Sequence, residues 1–446
     1  MNAKLLPLLA LPLTLALGSC NSLRVPDECP IPGAERVDHL IMDGEEHFAG
    51  LWKLTSGGEN AEGYWSFAGD RLSLQRRNPK EGVDCDRIYT TTTDTGELVQ
   101  LSSGGGATTC AHFLLGDEEV VFGSTHGMME GCPPPPDHSK GYVWMLHPEY
   151  DIYARPVDWV DEMNGIDDEV WPERRLTDTW GYDAEATVSP VDGRVVFTST
   201  RTGDIELWTM NPDGTDQVQI TDTIGYDGGA FYSHDGRTLV FRTTEFPADE
   251  AEREAAIAEY QSLLNENYVR PGAMEIYTIG ADGSDRRQVT RLGGANFAPY
   301  FTPDDQRIVF SSNHASATGR EFDLFAIGRD GKQLEQITTY EGFDSFPMFS
   351  FDGEWFVFAS NRGGSEQGET NLFVAYWKDH EPEVWMDAVE EAAQVEAHGE
   401  EHGEGQVCPV TGARLDAPSE GLARSPGGTP CPTTSATPGC GSAPAT

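Results

Sequence analysis

Phe231-Tyr232-Ser233-His234-Asp235-Gly236-Arg237-Thr238-Leu239-Val240-Phe241 runs from an apolar strand through an Asp-Gly turn into a second apolar strand. Asp-Gly favours the left-handed backbone that a two-residue hairpin requires, so the two strands fold back on each other. The pattern recurs at Thr187 to Phe197 and at Met348 to Phe358. A fourth copy, Tyr300 to Asp305, replaces the turn glycine, and two degenerate copies lie at Tyr64 to Asp70 and His112 to Asp117. Their anchors at residues 66, 114, 189, 233, 302 and 350 are spaced 48, 75, 44, 69 and 48 apart, the two long intervals holding insertions. Repeats of roughly 40–50 residues made of short strands are the signature of propeller blades.

Each unit supplies four strands. A third strand follows the hairpin, as in Glu206 to Met210, Glu275 to Ile279 and Asp323 to Ile327. Second turns come at Asp213-Gly214, Asp282-Gly283 and Asp330-Gly331, before the short fourth strands Gln219-Ile220-Thr221, Gln288-Val289-Thr290 and Gln336-Ile337-Thr338. The last third strand, Asn371 to Trp377, has no fourth strand after it, whereas Gly50 to Thr55 reads as a fourth strand with nothing before it. The N-terminal strand is therefore expected to complete the sixth blade and remove the sheet edge. The predicted fold is all-β: a six-bladed β-propeller of four-stranded blades over residues 47–378, with a helical insertion and a disordered tail at 379–446.

Residues 1–19 read as a processing segment. Lys4 precedes the apolar run Leu5 to Leu17, which ends in Leu17-Gly18-Ser19-Cys20 and resembles a bacterial lipoprotein signal. The resemblance implies a Cys20 thiol carrying diacylglycerol, a chain anchored to a membrane rather than spanning it, and residues 20–46 as a tether. Asn21 after the cysteine implies, by the same resemblance, outer-membrane sorting in a Gram-negative cell, facing the periplasm or the cell surface.

The formal charge is −44. Nucleic acid and anionic lipid surfaces are poor partners for such a field. Either the acids attract cations and basic peptides or they keep the chain soluble; their scatter favours the second reading. An exported chain permits disulfides. Cys85, Cys110 and Cys132 are expected towards one face with a disulfide among them; Cys431 and Cys440 are candidates for a local pair, and Cys29 and Cys408 complete the odd set. Two insertions leave that face. One, Ser124 to Tyr150, contains the stiff run Pro133 to Pro136. The other, Glu245 to Met274, places Ile257, Tyr260 and Leu264 at helical spacing. A third, Arg155 to Glu173, is acidic and belongs to the opposite face. In the tail, His398 and His402 stand among glutamates, a polar run that is either solvated or metal-scavenging.

Ile/Leu-Thr followed by Gly-Tyr/Phe-Asp and then the Asp-Gly hairpin resembles the TolB-type β-propeller repeat. The matching stretches are Leu176-Thr177 with Gly181-Tyr182-Asp183, Ile220-Thr221 with Gly225-Tyr226-Asp227, and Ile337-Thr338 with Gly342-Phe343-Asp344. The resemblance implies the fold and a partner-binding envelope protein; related propellers precede peptidase domains, but no Gly-x-Ser-x-Gly nucleophile elbow is present here. Aligning the loops that enter each innermost strand superposes Asn60, Thr108, Asp183, Asp227, Asn296 and Asp344, joined two positions on by Glu62, Cys110 and Glu185. These are expected to converge on the channel mouth, with His126, Arg201, His314 and Arg362 as a basic outer ring. Three functions compete. The leading one is a non-catalytic, lipid-anchored module binding an envelope protein or peptide at this face. The second is a metal-dependent hydrolase of the propeller-lactonase sort, with calcium held by Asp183, Asp227 and Asp344. The third is an accessory to a separate peptidase.

Overall fold

The computed structural model describes residues 25–157 and 173–379. Cys20, the tail with Cys431 and Cys440, and residues 158–172 of the third insertion lie outside them. Six sheets form the blades. Blade 1 runs, from the axis outward, through Glu59–Trp65, Leu72–Asn78, Val83–Thr91 and Leu98–Gln100. Blade 2 is Thr108–Phe113, Glu119–Ser124, Asp151–Pro156 and Arg174–Arg175. Blade 3 is Asp183–Val188, Val195–Ser199, Glu206–Met210 and Val218–Gln219. Blade 4 is Gly228–Tyr232, Thr238–Thr244, Met274–Gly280 and Arg287–Gln288. Blade 5 is Asn296–Phe301, Arg307–Ser312, Asp323–Gly328 and Glu335–Gln336.

Blade 6 closes the ring as expected. Asp344–Phe349, Trp355–Ser360 and Asn371–Trp377 are followed outward by the N-terminal strand Phe48–Lys53, with Leu51 opposite Ala375 and Trp52 opposite Val374. The stretch expected as a tether is docked from residue 25 onward. Glu35–Arg36 adds a fifth strand against Trp52–Lys53, and Ile31 and Val37 are buried. Glu45 is 2 % exposed and takes two hydrogen bonds of 2.9 Å from Arg362. Two apolar side chains and a buried ion pair hold it there.

The short fourth strands end before their threonine, and the reason is a repeated side-chain bond. Thr55, Thr177, Thr221, Thr290 and Thr338 each accept, at 2.7–2.9 Å, an N–H from the second or third residue of the adjacent third strand. Ser102 accepts from Ile88 N–H, midway along its third strand, at 3.0 Å. The hydroxyl thus replaces the ladder bond that would have extended the strand. Where the hairpin glycine is missing, Asp117 and Asp305 take its left-handed conformation, with φ of 61° and 55°. Each carboxylate caps the turn of the preceding blade: Asp117 accepts from Phe67 and Ala68 N–H at 2.8 Å, Asp305 from His234 N–H at 3.0 Å. The substitution therefore adds a bond between blades. Fully buried rings such as Phe197, Phe241, Phe310 and Phe356 fill the blade interfaces.

The insertions of blades 2 and 4 join, which their separation in sequence conceals. Trp144–Met145 pairs with Tyr268–Val269 as a small ribbon, and Leu146 N–H donates to Asn267 C=O at 2.7 Å. Helix α1, Glu250–Leu264, is capped by Asp249 accepting from Glu252 N–H at 3.1 Å. Its Tyr260 is buried and donates to Asp204 at 2.5 Å. A disulfide, Cys85–Cys132, ties the first insertion to blade 1, while Cys110 stays a buried thiol. Among the described residues no helix is long and apolar enough to cross a membrane.

Candidate functional site

The loops entering the innermost strands do form a ring, but its six residues face into the protein. Asn60, Asp183, Asp227, Asn296 and Asp344 are 0 % exposed and Thr108 is 1 % exposed. Asp183 accepts from Ser199 at 2.5 Å and pairs with Arg201 at 2.6 Å. Asp227 takes both arms of Arg286, at 2.6 and 2.9 Å, and Asp344 pairs with Arg362 at 2.8 Å. Asn60 donates to Gly57 and Thr370 C=O at 3.0 and 2.9 Å, Asn296 donates to Met274 C=O at 2.8 Å, and Thr108 donates to Asp86 C=O at 3.0 Å. These are latches fastening each innermost strand to its surroundings, since a buried polar group without a partner is costly. Burial pushes the Asp183 and Asp344 carboxyls up against the pull of their arginines.

The expected basic ring is consumed in the same way. His126 bonds Ser124 at 2.7 Å and Glu173 at 2.6 Å, and His314 bonds Ser312 at 2.9 Å. Arg201 and Arg362 fold back onto Ser199 and Ser360 of their own strands. The calcium set is corrected accordingly. Asp183, Asp227 and Asp344 each already face a guanidinium, and nothing brings the three together around one point.

Two residues into each innermost strand the pairing register slips, a β-bulge repeated in all six blades. The residues there have left-handed φ: Glu62 53°, Cys110 49°, Glu185 57°, Gly229 58°, Ala298 49° and Phe346 55°. These six line a chamber of about 1080 Å³ at the insertion end of the channel. Glu62, Cys110 and Glu185 are thus brought together as the sequence suggested; the other three members follow from the same offset. Below them Tyr64, Thr187 and Phe231 close the floor, with Phe231 edge-on to Tyr300 at 5.2 Å. The ribbon and Trp144 roof it.

Sequence reasoning missed Arg242, on the second strand of blade 4. Gly229 has no side chain, and a Cβ there would lie 1.9 Å from the Arg242 guanidinium, so the empty slot admits it. Arg242 pairs with Glu185 and donates to the Tyr226 hydroxyl at 2.7 Å. Its guanidinium lies 4.5 Å from the Tyr226 ring centre and 5.7 Å from that of Trp144. Glu185 also accepts from Thr198 at 2.7 Å, Tyr226 at 2.9 Å and Gly229 N–H at 2.9 Å. Burial works to raise its carboxyl, but Arg242 and these donors outweigh that and hold it below its usual range. Glu62 differs: burial pushes it up, against hydrogen bonds from Cys110 and Tyr64. Burial, then the negative charge of Glu62 and Glu185, drives the Cys110 thiol well above its ordinary value. Blades 5 and 6 line the rest with Phe297, Phe322, Phe343 and Phe346. The doubled Gly228-Gly229 was the one signal in the sequence that a neighbour fills this slot.

Residues 268–373 match the family model described as the TolB beta propeller domain. Among curated proteins none matches the chain. Similar solved structures include TolB from Acinetobacter baumannii, with 14 % identity and a TM-score of 0.44 over 70 % of this chain and 64 % of that one. Oligogalacturonate lyase from Vibrio parahaemolyticus has 14 % identity and a TM-score of 0.42 over 78 % of this chain and 83 % of that one. An oligogalacturonate lyase in complex with manganese has 12 % identity and a TM-score of 0.44 over 80 % and 98 %. At these identities and TM-scores the likenesses carry no argument, and function is left to the residues. The chain is a six-bladed β-propeller in which residues 268–373 match the TolB-type propeller model.

Proposed function

We propose that this protein is a non-catalytic binding module of the cell envelope, held to the membrane by lipid on Cys20. It takes a protein or peptide segment into the chamber on the face carrying the two insertions. The observation that supports this best is the chamber itself, roofed by a ribbon from two blades, with one ion-paired wall and one aromatic wall. Concave, mostly apolar sites with a few convergent polar groups are where ligands bind. Its polar groups serve as walls rather than reagents: Glu185 is spent on Arg242, and the raised Cys110 thiol is held in the form that is not nucleophilic.

Site-specific photocrosslinking in the membrane-anchored chain tests this. A crosslinker at Tyr142, 74 % exposed on the roof, should trap a partner, and one at Leu334, 40 % exposed at the far end of blade 5, should not. Equal labelling at both positions, or none at Tyr142, defeats the reading. Cys20→Ala should release the chain from membranes; continued sedimentation with them removes the anchor.

A further inference from the structure

Resting on that reading, we propose that the chamber's occupant carries one organic cation, a primary ammonium or guanidinium, joined to an apolar or aromatic body. The cation would sit between Glu62 and Asp86, and the body would lie against Phe297 and Phe346.

The wall built by blade 1 has an excess of acceptors. Glu62 takes a hydrogen bond from the Tyr64 hydroxyl at 3.0 Å, and Asp86 is hydrogen-bonded by Gln75. Neither carboxyl is within salt-bridge distance of a cation among the described residues, Arg242 acting on Glu62 and Arg77 and Arg87 on Asp86 from further off, and both line the cavity. Gln75 adds a buried side-chain oxygen with no hydrogen-bond partner. Three carboxyls therefore face the chamber, and Arg242 is already committed to Glu185. Arg320, the other guanidinium on the lining, stands exposed at the rim. Burial pushes both Glu62 and Asp86 up, and a bound cation would pull them back down. Tyr150 packs edge-on to Tyr182 at 5.6 Å and lies near both acids, so ring faces are present beside the carboxyls.

Across the chamber, on blades 5 and 6, the lining carries no carboxyl. Phe297 contacts Phe322 and Phe346 at 5.3 and 5.9 Å between ring centres. A ligand fitting both walls must be cationic at one end and apolar at the other. The chain's charge of −44 draws cations and repels anions before contact is made.

Calorimetric titration of the full chain with 4-phenylbutylammonium, 4-phenylbutanol and 4-phenylbutanoate separates charge from shape. The ammonium should bind roughly tenfold or more tighter than the alcohol, the usual worth of a hydrogen bond to a charged group. The carboxylate should not bind. Glu62→Gln and Asp86→Asn should each bring ammonium affinity towards that of the alcohol and leave the alcohol unchanged. Equal affinity for ammonium and alcohol in the unmutated protein overturns the proposal, and so does ammonium affinity indifferent to both variants. A roof-bound partner combined with charge-blind probes would sink this ligand class and leave the binding reading in place. Charge-ranked probes without any trapped partner would support the ligand class and remove that reading.

Discussion

Replacing Glu185 with Gln should destabilise the propeller by about 3 kcal/mol, because it strands the Arg242 charge. The pair is nearly dry: the two side chains are 13 % and 7 % exposed. Breaking a buried pair from one side costs about 3–5 kcal/mol, since the remaining charge keeps its desolvation penalty without its partner. Gln retains the shape and one acceptor oxygen for Thr198 or Gly229 N–H, which places the change at the low end of that range. Arg242→Met in the same chain removes the stranded charge while keeping an apolar stem beside Tyr226 and Trp144. The double variant should therefore recover to within about 1 kcal/mol of the parent, since no unpaired charge stays buried. Gly229→Ala reaches the same pair by sterics: its Cβ would stand 1.9 Å from the guanidinium, at a φ of +58°. Its cost should not add to that of Glu185→Gln, because both undo one interaction. Urea unfolding followed by tryptophan fluorescence measures all four, with the m-value as a check that only stability has changed. A Glu185→Gln cost below about 1 kcal/mol, or a double variant as weak as the sum of its singles, refutes the assignment of this pair as the organiser of the polar wall.

Two further outcomes follow from the ring and from a buried acid. Deleting residues 47–55 removes Leu51 and Trp52, at most 1 % exposed, and bares the edge of Asn371–Trp377, all seven residues of which are buried; calorimetry should then show loss of the cooperative melt, and an unchanged melt would contradict closure by this strand. Glu206 is raised to about 8 by burial and by Asp227 and Asp204, against a hydrogen bond from Thr221 and the charge of Arg286. A folded-state value above the unfolded one means its contribution is fully present below about 4.5, the ordinary value, and is lost as pH rises towards 8. Glu206→Gln should flatten the stability profile across that window and leave the variant the more stable chain above it, on the order of a few kcal/mol; parallel profiles would refute the shift.

The blade pattern was legible because each of its signals is local. Asp-Gly hairpins, the terminal threonines and the orphan strands at the two ends all lie within a few residues of what they specify. The role of the latch residues is not legible, since Asp183 or Asp344 looks the same in sequence whether it faces a channel or an arginine. What decides between these is the residue two places past the serine that ends the second strand, as in Ser199-Thr200-Arg201 and Ser360-Asn361-Arg362, which curls back into the blade. The docking of residues 25–46 was hidden because Ile31, Val37 and Glu45 carry no periodicity. The roof ribbon was hidden for a different reason: Trp144–Met145 and Tyr268–Val269 sit in two blades' insertions, and no local pattern announces a pairing of that range. Arg242 escaped because a charge within a strand reads as solvent-facing until the glycine opposite it is seen to leave room.

Along the axis the six blades repeat three layers, and the layers differ in how much freedom they leave. Every latch position is polar and occupied, so that layer has one task and performs it six times. The floor is filled mostly by rings, as Tyr64, His112 and Phe231 pack at a tilt and Tyr300 meets Phe231 edge to face. Only the bulge layer breaks the symmetry: two acids, a thiol, a vacancy that admits an arginine, a methyl group and a phenyl ring occupy equivalent backbone sites. Left-handed backbone at these six positions belongs to the propeller itself, since it appears whatever the side chain is, and so it is no mark of a strained active site. The differences between slots are what a ligand can read. The roof springs from blades 2 and 4, on either side of the blade that carries Glu185, and its Trp144 stands 6.4 Å from both Tyr226 and Phe297. One tryptophan therefore spans the seam between the ion-paired arc and the aromatic arc, which is where a molecule using both would have to pass.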